Sequence, residues 1–367
     1  MRKNLFKWHS YSALLALIPL IIIAVTGSIL VFKTEIDTWL MPERMTVAQS
    51  SNQQRANFNQ LVAHVEQTHQ NYLVGSWEIF DDKKRSDTVY LISKTDGQWS
   101  KMYIDQYQNK LLSNPVSVTH DITDWLLSLH YTFLLGTTGA FLGLIFAIVL
   151  LFLGVSGIIL HRQFWRKLFT LRFGAARRIF YSDVHKFIGI VSSPIIIVLA
   201  ITGGYWNTAE VLHELEHHLE QDQVVIQDKL YSSDIDLQVL LDNSTSAIDG
   251  FTPTYFVFPF EPELHFTVYG DVTGTNILTS QYSSTIGWNR DTGQLTTTFD
   301  IRQAALGWVI LDSFRKLHFG YFAGLPSKII WCVLGLSPLW LSLTGLYLYL
   351  FRKRKYLQKY ASAPVIS

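Results

Sequence analysis

Four runs of about 20 apolar residues constrain this chain more than anything else in it, because that length lets an α-helix cross the ~30 Å hydrocarbon core of a bilayer. They fall at roughly 12–33, 138–160, 187–206 and 327–350. Arg2, Lys3 and Lys7 ahead of the first run imitate a secretory leader. Its apolar stretch continues from Ala13 to Phe32, however, with no A-x-A cleavage pattern, so it reads as an uncleaved span. Basic residues near span ends set the expected orientation. Half of the chain's 30 Lys and Arg lie in the N-terminus, the loop 161–186 and the tail from 351. These are expected in the cytoplasm of a bacterial cell, which makes the chain a multi-pass inner-membrane protein with both termini inside.

The expected segmentation is a first transmembrane helix (1–33), an extracytoplasmic domain (34–125), a second helix (126–161), a basic cytoplasmic loop (162–184), a third helix (185–206), a second extracytoplasmic domain (207–312), a fourth helix (313–351) and a cytoplasmic tail (352–367). Alternating apolar stretches such as Thr88–Ile92 and Tyr255–Phe260, with turn signals at Asp96-Gly97 and Asp291-Thr292-Gly293, predict small α+β modules outside. The expected fold class is thus an all-α membrane four-helix bundle with extracytoplasmic α+β domains.

Self-comparison shows that the bundle is a duplicated helix pair. His9 stands 18 residues before Gly27, within Ala24-Val25-Thr26-Gly27, and His185 stands 18 before Gly203, within Ala200-Ile201-Thr202-Gly203. In the returning helices, Asp124 precedes His130 by six residues and Gly157 follows it by 27; Asp312, His318 and Gly345 repeat both intervals. His9 and His185 therefore belong to one face of the membrane, and His130 and His318 to the other. Three readings are open: paired imidazoles that bind haem, with glycines admitting the flat ring; interfacial histidines copied by the duplication; or a proton or metal-ion pathway. Asp124 and Asp312 read as helix caps.

Composition narrows the chemistry. The net charge is +1, so a basic nucleic-acid-binding surface is not expected. A single cysteine, Cys332, excludes a disulfide, an iron–sulfur cluster or a zinc ribbon within one chain, leaving the 12 histidines as the metal-capable side chains. One literal motif competes: His213-Glu214-Leu215-Glu216-His217 matches the zincin H-E-x-x-H pattern. Leu212, Leu215 and Leu219 share one face there, however, which is the pattern of an amphipathic helix at a membrane surface.

The histidine opening span one, Leu129-His130-Tyr131, Asp183-Val184-His185 and Leu317-His318, in that order, resemble the PepSY-associated transmembrane-helix family. That family includes bacterial inner-membrane ferric-siderophore reductases and related iron-regulated membrane proteins. The stretch from Lys101 to Leu112 is similar to the PepSY strand–turn segment, with Gln106 and Asn109 where the family usually has Pro and Gly. The resemblance implies PepSY-like outer domains and two haems b. The iron ligands would be His9 with His185 inside and His130 with His318 outside, with His161 as a substitute for His9 or His185. By the duplication, the counterpart of His161 is Tyr349. The implied activity carries electrons across the bilayer to a ferric siderophore or other Fe(III) chelate and releases Fe(II). No nicotinamide- or flavin-binding glycine motif is visible, so a separate cytoplasmic donor or a membrane quinol is expected. Trp77, Trp99, Tyr255 and Trp288 offer a chelate platform or, equally, core. The alternatives are a non-enzymatic PepSY-bearing protein that binds or regulates an envelope partner, a haem or metal transporter, and electron transfer in the other direction or to another acceptor.

Overall fold

The computed structural model describes residues 2–47, 54–163, 171–219 and 225–361, with the side chains of 216–219 and 359–361 left out. In chain order the elements are α1 (Arg2–Leu15), α2 (Leu17–Leu30), α3 (Lys33–Leu40), α4 (Pro42–Met45), α5 (Phe58–Thr68), β1 (Tyr72–Glu78), β2 (Asp87–Ser93), β3 (Trp99–Asp105), β4 (Lys110–Leu111), β5 (Val116–Ser117) and α6 (Ile122–Thr132). Then follow α7 (Gly136–Leu160), α8 (Arg177–Leu219), α9 (Leu237–Ala247), β6 (Phe251–Val257), β7 (Phe266–Val272), β8 (Ser284–Trp288), β9 (Leu295–Phe299), α10 (Leu306–Phe319), α11 (Leu325–Gly335) and α12 (Ser337–Ala361). They form two compact units: a helical unit of Met1–Phe32, Leu126–Leu219 and Leu317–Ser367, and a sheet unit of Lys33–Trp125 and Glu220–Lys316.

In the helical unit, α7 packs on α8, α8 on α12, α12 on α2, and α1 on α7. Three stretches, Gly136–Leu160, Arg177–Leu215 and Leu325–Gln358, are long and apolar enough to cross a membrane, and α1 with α2 makes a fourth if the bent pair counts as one span. The burial pattern is that of a protein solvated by lipid. Leu15, Ile18, Ile148 and Val333 are exposed, whereas Ala16, Ala24, Thr26, Ser156, Ser192, Ser193 and Thr202 are buried. Small and hydroxylated residues let helices approach where no hydrophobic effect drives them together.

The first span is not the straight rod that the 18-residue spacing assumed. It bends by 66° between α1 and α2. Pro19, in the first turn of α2, has no N–H to offer the carbonyl of Leu15, and its ring crowds that group. The third helix runs from Arg177 to Leu219, well past the expected 187–206.

The expected all-α four-helix bundle is corrected by the sheet unit. Nine strands form one antiparallel sheet of order β4-β3-β2-β1-β6-β7-β8-β9, with β5 also on β3. The two outer segments, expected as separate small modules, meet edge to edge where β1 pairs β6 through Ser76–Val257, Trp77–Phe256 and Glu78–Tyr255. The strand order reads the same from both ends, 4-3-2-1 against 9-8-7-6, and one helix precedes each half: α5 before β1, α9 before β6. Duplication is thus visible here as well as in the spans.

Alternation sorts the two faces of the sheet. Met102, Val89, Trp77, Phe256, Val268 and Ile286 lie side by side across six strands and are fully buried. They share a core with Phe58, Leu61 and Val65 of α5 and with Leu237 and Leu240 of α9. Burying each large side chain contributes about 1.5–3 kcal/mol. The next row, on the other face, reads Tyr103, Thr88, Glu78, Tyr255, Tyr269 and Thr285.

Candidate functional site

All four repeat histidines lie in the helical unit, and each meets the repeat glycine of the other helix in its own pair. A Cβ built on Gly27 would stand 2.7 Å from Cε1 of His130, and one on Gly157 would stand 3.9 Å from Cε1 of His9. In the second pair, Gly203 faces His318 at 3.3 Å and Gly345 faces His185 at 3.5 Å by the same measure. The glycines make room for imidazoles that arrive from across the bundle.

The residue before each glycine holds the ring. His9 Nδ1 lies 2.7 Å from Ser156 Oγ, and His130 Nδ1 lies 3.0 Å from Thr26 Oγ1. His185 Nδ1 and His318 Nδ1 are each 2.8 Å from the hydroxyls of Thr344 and Thr202. Three of these hydroxyls donate to a carbonyl of their own helix, Thr26 to Ile22 at 2.7 Å, Thr202 to Val198 at 2.8 Å and Thr344 to Trp340 at 2.7 Å, which leaves them to accept from the histidine with the ring proton on Nδ1. Ser156 lies 3.3 Å from the Leu153 carbonyl and 2.7 Å from His9, so it can donate to either. His130 confirms the sign independently, since its Nδ1 also donates to the carbonyl of Ile23 at 3.1 Å. The consequence is chemical: with Nδ1 as donor, the neutral rings of His130, His185 and His318 keep the lone pair on Nε2, the state that a metal-ligating histidine needs.

The rings gather two and two. His130 and His318 have centroids 6.3 Å apart with planes at 59°. His9 and His185 line one cavity of about 980 Å³, at the upper end of the ~300–1,000 Å³ usual for small-molecule sites. Its floor is apolar, with Leu17, Leu20, Leu150, Leu153 and Ile196, and both Gly157 and Gly345 reach it. His161 caps the C-terminus of α7 and lines the same cavity, so three imidazoles border it.

The other sequence candidates lie elsewhere. Trp77 is buried and donates to Asp87, Trp288 is buried and donates to Ser244, Tyr255 is hydrogen-bonded to Ser76, and Trp99 packs edge-on against Phe260. Trp77 and Trp288 belong to the core, whereas Tyr255 and Trp99 are half-buried outside it. Asp124 does not cap its helix; it pairs with Lys33 at 2.9 Å and with buried Lys101, which also meets Asp121 at 2.7 Å. Burial works against the Lys101 ammonium, yet Tyr103, Asp121 and Asp124 around it hold its pKa above the ordinary lysine range. Asp312 accepts from the backbone and hydroxyl of Ser280. The His213 side chain is exposed, Glu214 accepts from Thr137 at 3.0 Å, and the His217 side chain lies outside the described residues. Among the described residues no group of three or more His, Cys, Asp or Glu is placed to hold a metal ion.

The hydroxyls are the part that sequence reasoning missed. Thr26, Ser156, Thr202 and Thr344 each stand directly before a repeat glycine, so the signal lay in the repeat itself.

Residues 6–352 match the sequence profile of the family described as PepSY-associated TM region. The chain belongs to the PepSY-associated transmembrane family. The match takes in both helix pairs, both halves of the sheet and all four histidine–hydroxyl–glycine units, and with the apolar helices it makes this family member a membrane protein. A curated relative, "Uncharacterized protein PA4219" of Pseudomonas aeruginosa, is 35% identical to this PepSY-associated chain over 80 residues, which is 22% of the chain. The chain covers 20% of that relative's own length.

Proposed function

We propose that this chain is a di-haem b protein of the bacterial inner membrane that passes electrons across the bilayer to a ferric siderophore or similar Fe(III) chelate on the periplasmic side. The observation that carries this reading is the fourfold histidine–hydroxyl–glycine unit, arranged as two pairs.

The ring geometry fits the cofactor. Imidazole nitrogens bind transition metals at about 2.0–2.1 Å, and the centre of a five-membered ring with ~1.33 Å bonds sits roughly 1.1 Å behind each nitrogen, so two rings on opposite sides of one metal have centroids about 6.2–6.4 Å apart. His130 and His318 stand at 6.3 Å. For the other site, the cavity beside His9 and His185 supplies the space and the apolar floor that a porphyrin needs.

Held by two imidazoles, haem iron would supply a one-electron centre suited to electron transfer. The chain's own residues do the rest. His9 with His185, and His130 with His318, would hold the iron. Ser156, Thr344, Thr26 and Thr202 fix the ring orientation, and an Nδ1–H donated to a good acceptor raises ligand basicity. Gly27, Gly157, Gly203 and Gly345 keep the facing backbone clear of the rings. The concentration of Lys and Arg in the N-terminus, the 161–186 loop and the tail supports placing the His9/His185 end on the cytoplasmic side.

A visible spectrum and haem count of the purified full-length protein, before and after dithionite, test the cofactor. Two haems per chain with a six-coordinate bis-imidazole spectrum are expected; colourless protein from iron-replete cells ends the reading. Liposomes with reductant inside and ferric siderophore outside test the activity, and reduced haems that leave the chelate oxidised would remove the substrate while keeping the cofactor.

A further inference from the structure

Six cationic side chains, Arg2, Lys3, Arg162, Arg178, Lys186 and Arg352, line the cavity that holds His9 and His185. All six are exposed, whereas Leu20 and Ile196 on the floor are buried, so charge gathers at the mouth and the apolar surface lies deep. No Asp or Glu lines the cavity among the described residues, and none of the described salt bridges engages any of the six. Arg2 donates to the Leu160 carbonyl, Arg178 stands over Phe351 at 5.5 Å, and Arg352 over Phe6 at 4.6 Å, all neutral groups, whereas Lys186 interacts electrostatically with the Asp183 carboxylate.

A basic membrane flank alone gives cations at span ends. It does not require them to converge on one apolar cavity bordered by three imidazoles. That combination fits an amphiphile with a flat apolar body and an anionic edge. Resting on the haem reading above, we propose that this rim is a carboxylate-binding subsite: it takes the two propionates of the porphyrin held by His9 and His185, so the macrocycle enters with its carboxylate edge toward Arg178 and Arg352. The subsite selects porphyrin carboxylic acids over uncharged porphyrins and sets one orientation of the ring. Charge-assisted guanidinium–carboxylate pairs are the strong, directional kind.

The experiment uses full-length protein carrying His130→Ala and His318→Ala, so that only the cavity site remains. It is prepared without haem and titrated with iron protoporphyrin IX or with its dimethyl ester, which keeps the ring and lacks the charges. The free acid is expected to bind at least ~10-fold more tightly than the ester, since a hydrogen bond to a charged group contributes at least that factor. Arg178→Gln with Arg352→Gln should bring the acid down to the ester's affinity and leave ester binding unchanged, and retained ester binding shows that the variant is folded. Equal affinities for acid and ester, or an equal loss of both on substitution, overturn the subsite and leave the haem reading standing. If neither porphyrin binds to this variant while its melting temperature matches the parent's, the cavity haem falls, and this inference with it. A porphyrin-free site that instead retains anionic phospholipid through purification would assign the rim to lipid.

Discussion

At one end of the helical unit, His130 and His318 stand with their rings 6.3 Å apart, and their glycines press close, with built Cβ distances of 2.7 and 3.3 Å. At the other end, His9 and His185 border a cavity of about 980 Å³, and the corresponding distances relax to 3.9 and 3.5 Å. The hydroxyl and the glycine are the same at both ends. Duplication explains why the two members of a pair match, because each pair takes one histidine from each copy. It does not require the two ends to match, because one is built from the starts of outgoing helices and the other from the entries to returning ones. The local cradle was copied, while its surroundings diverged. One end has its two rings 6.3 Å apart, and the other has room and a charged mouth.

The largest expected effect separates the ends completely. His130→Ala and His318→Ala should each leave one haem per chain, and the remaining centre should be the same one in both. His9→Ala and His185→Ala should each leave the other centre. A haem count with a redox titration of the four single variants checks this. If His9→Ala removed the centre that His130→Ala removes, the pairing and the comparison built on it would both be wrong.

Steric fit gives a graded test. At 2.7 Å the Cβ of Gly27→Ala overlaps the His130 ring, and the imidazole or the backbone of α2 or α6 must give way. Overpacking of this kind costs about 1–3 kcal/mol, and it should show as a lowered melting temperature together with loss of haem from that end. Gly157→Ala, with 3.9 Å to His9, adds only an ordinary van der Waals contact. Its stability is expected within about 0.5 kcal/mol of the parent. Equal damage at both positions would mean that the two cradles are equally tight when loaded.

Much of this site can be read from the chain without coordinates, and the reason it stops where it does is physical. Intervals along one helix, such as His9 to Gly27, are written in the sequence, so the histidines and glycines stand out. Their true partners sit on another helix, and nothing local says that Gly27 faces His130 or that Thr26 receives its proton. The bend at Pro19 even breaks the straight-rod reasoning that made the interval suggestive. The sheet was legible only in pieces for the same reason. Each strand announces itself by alternation, but Trp77 pairs with Phe256 across two intervening spans, and that contact turns two modules into one surface. Asp124 and Asp312 were read as caps because six residues is too far for contact with a histidine. Their partners, Lys101 and Ser280, come from parts of the chain that no helical spacing could nominate.

Removing an acceptor sharpens the comparison further. Thr202→Val keeps the shape of the side chain while leaving His318 Nδ1–H without its hydroxyl, and Thr344→Val does the same to His185. Loss of such a supporting bond typically costs 10–100-fold in metal affinity. At His130 the carbonyl of Ile23, and at His185 the backbone of Leu341, remain as second acceptors, so Thr26→Val and Thr344→Val should fall at the bottom of that range or below it and Thr202→Val should cost the most. Haem dissociation rates measured by transfer to apomyoglobin would rank the three.

The smallest effect expected is none, and it bears on His161. This imidazole borders the same cavity as His9 and His185, yet it belongs to no histidine–hydroxyl–glycine unit, and duplication places Tyr349 opposite it. It also caps α7, where its backbone N–H serves the carbonyls of Gly157 and Ile158 whatever the side chain is. His161→Ala should therefore keep two haems per chain and an unchanged bis-imidazole spectrum. Combined with His9→Ala, it should show no loss beyond that of His9→Ala alone. Should the single variant drop to one haem while His9→Ala keeps two, His161 takes the place of His9. The cavity end would then be ligated by a residue outside the duplicated pattern, and the resemblance between the two ends would stop at their hydroxyls.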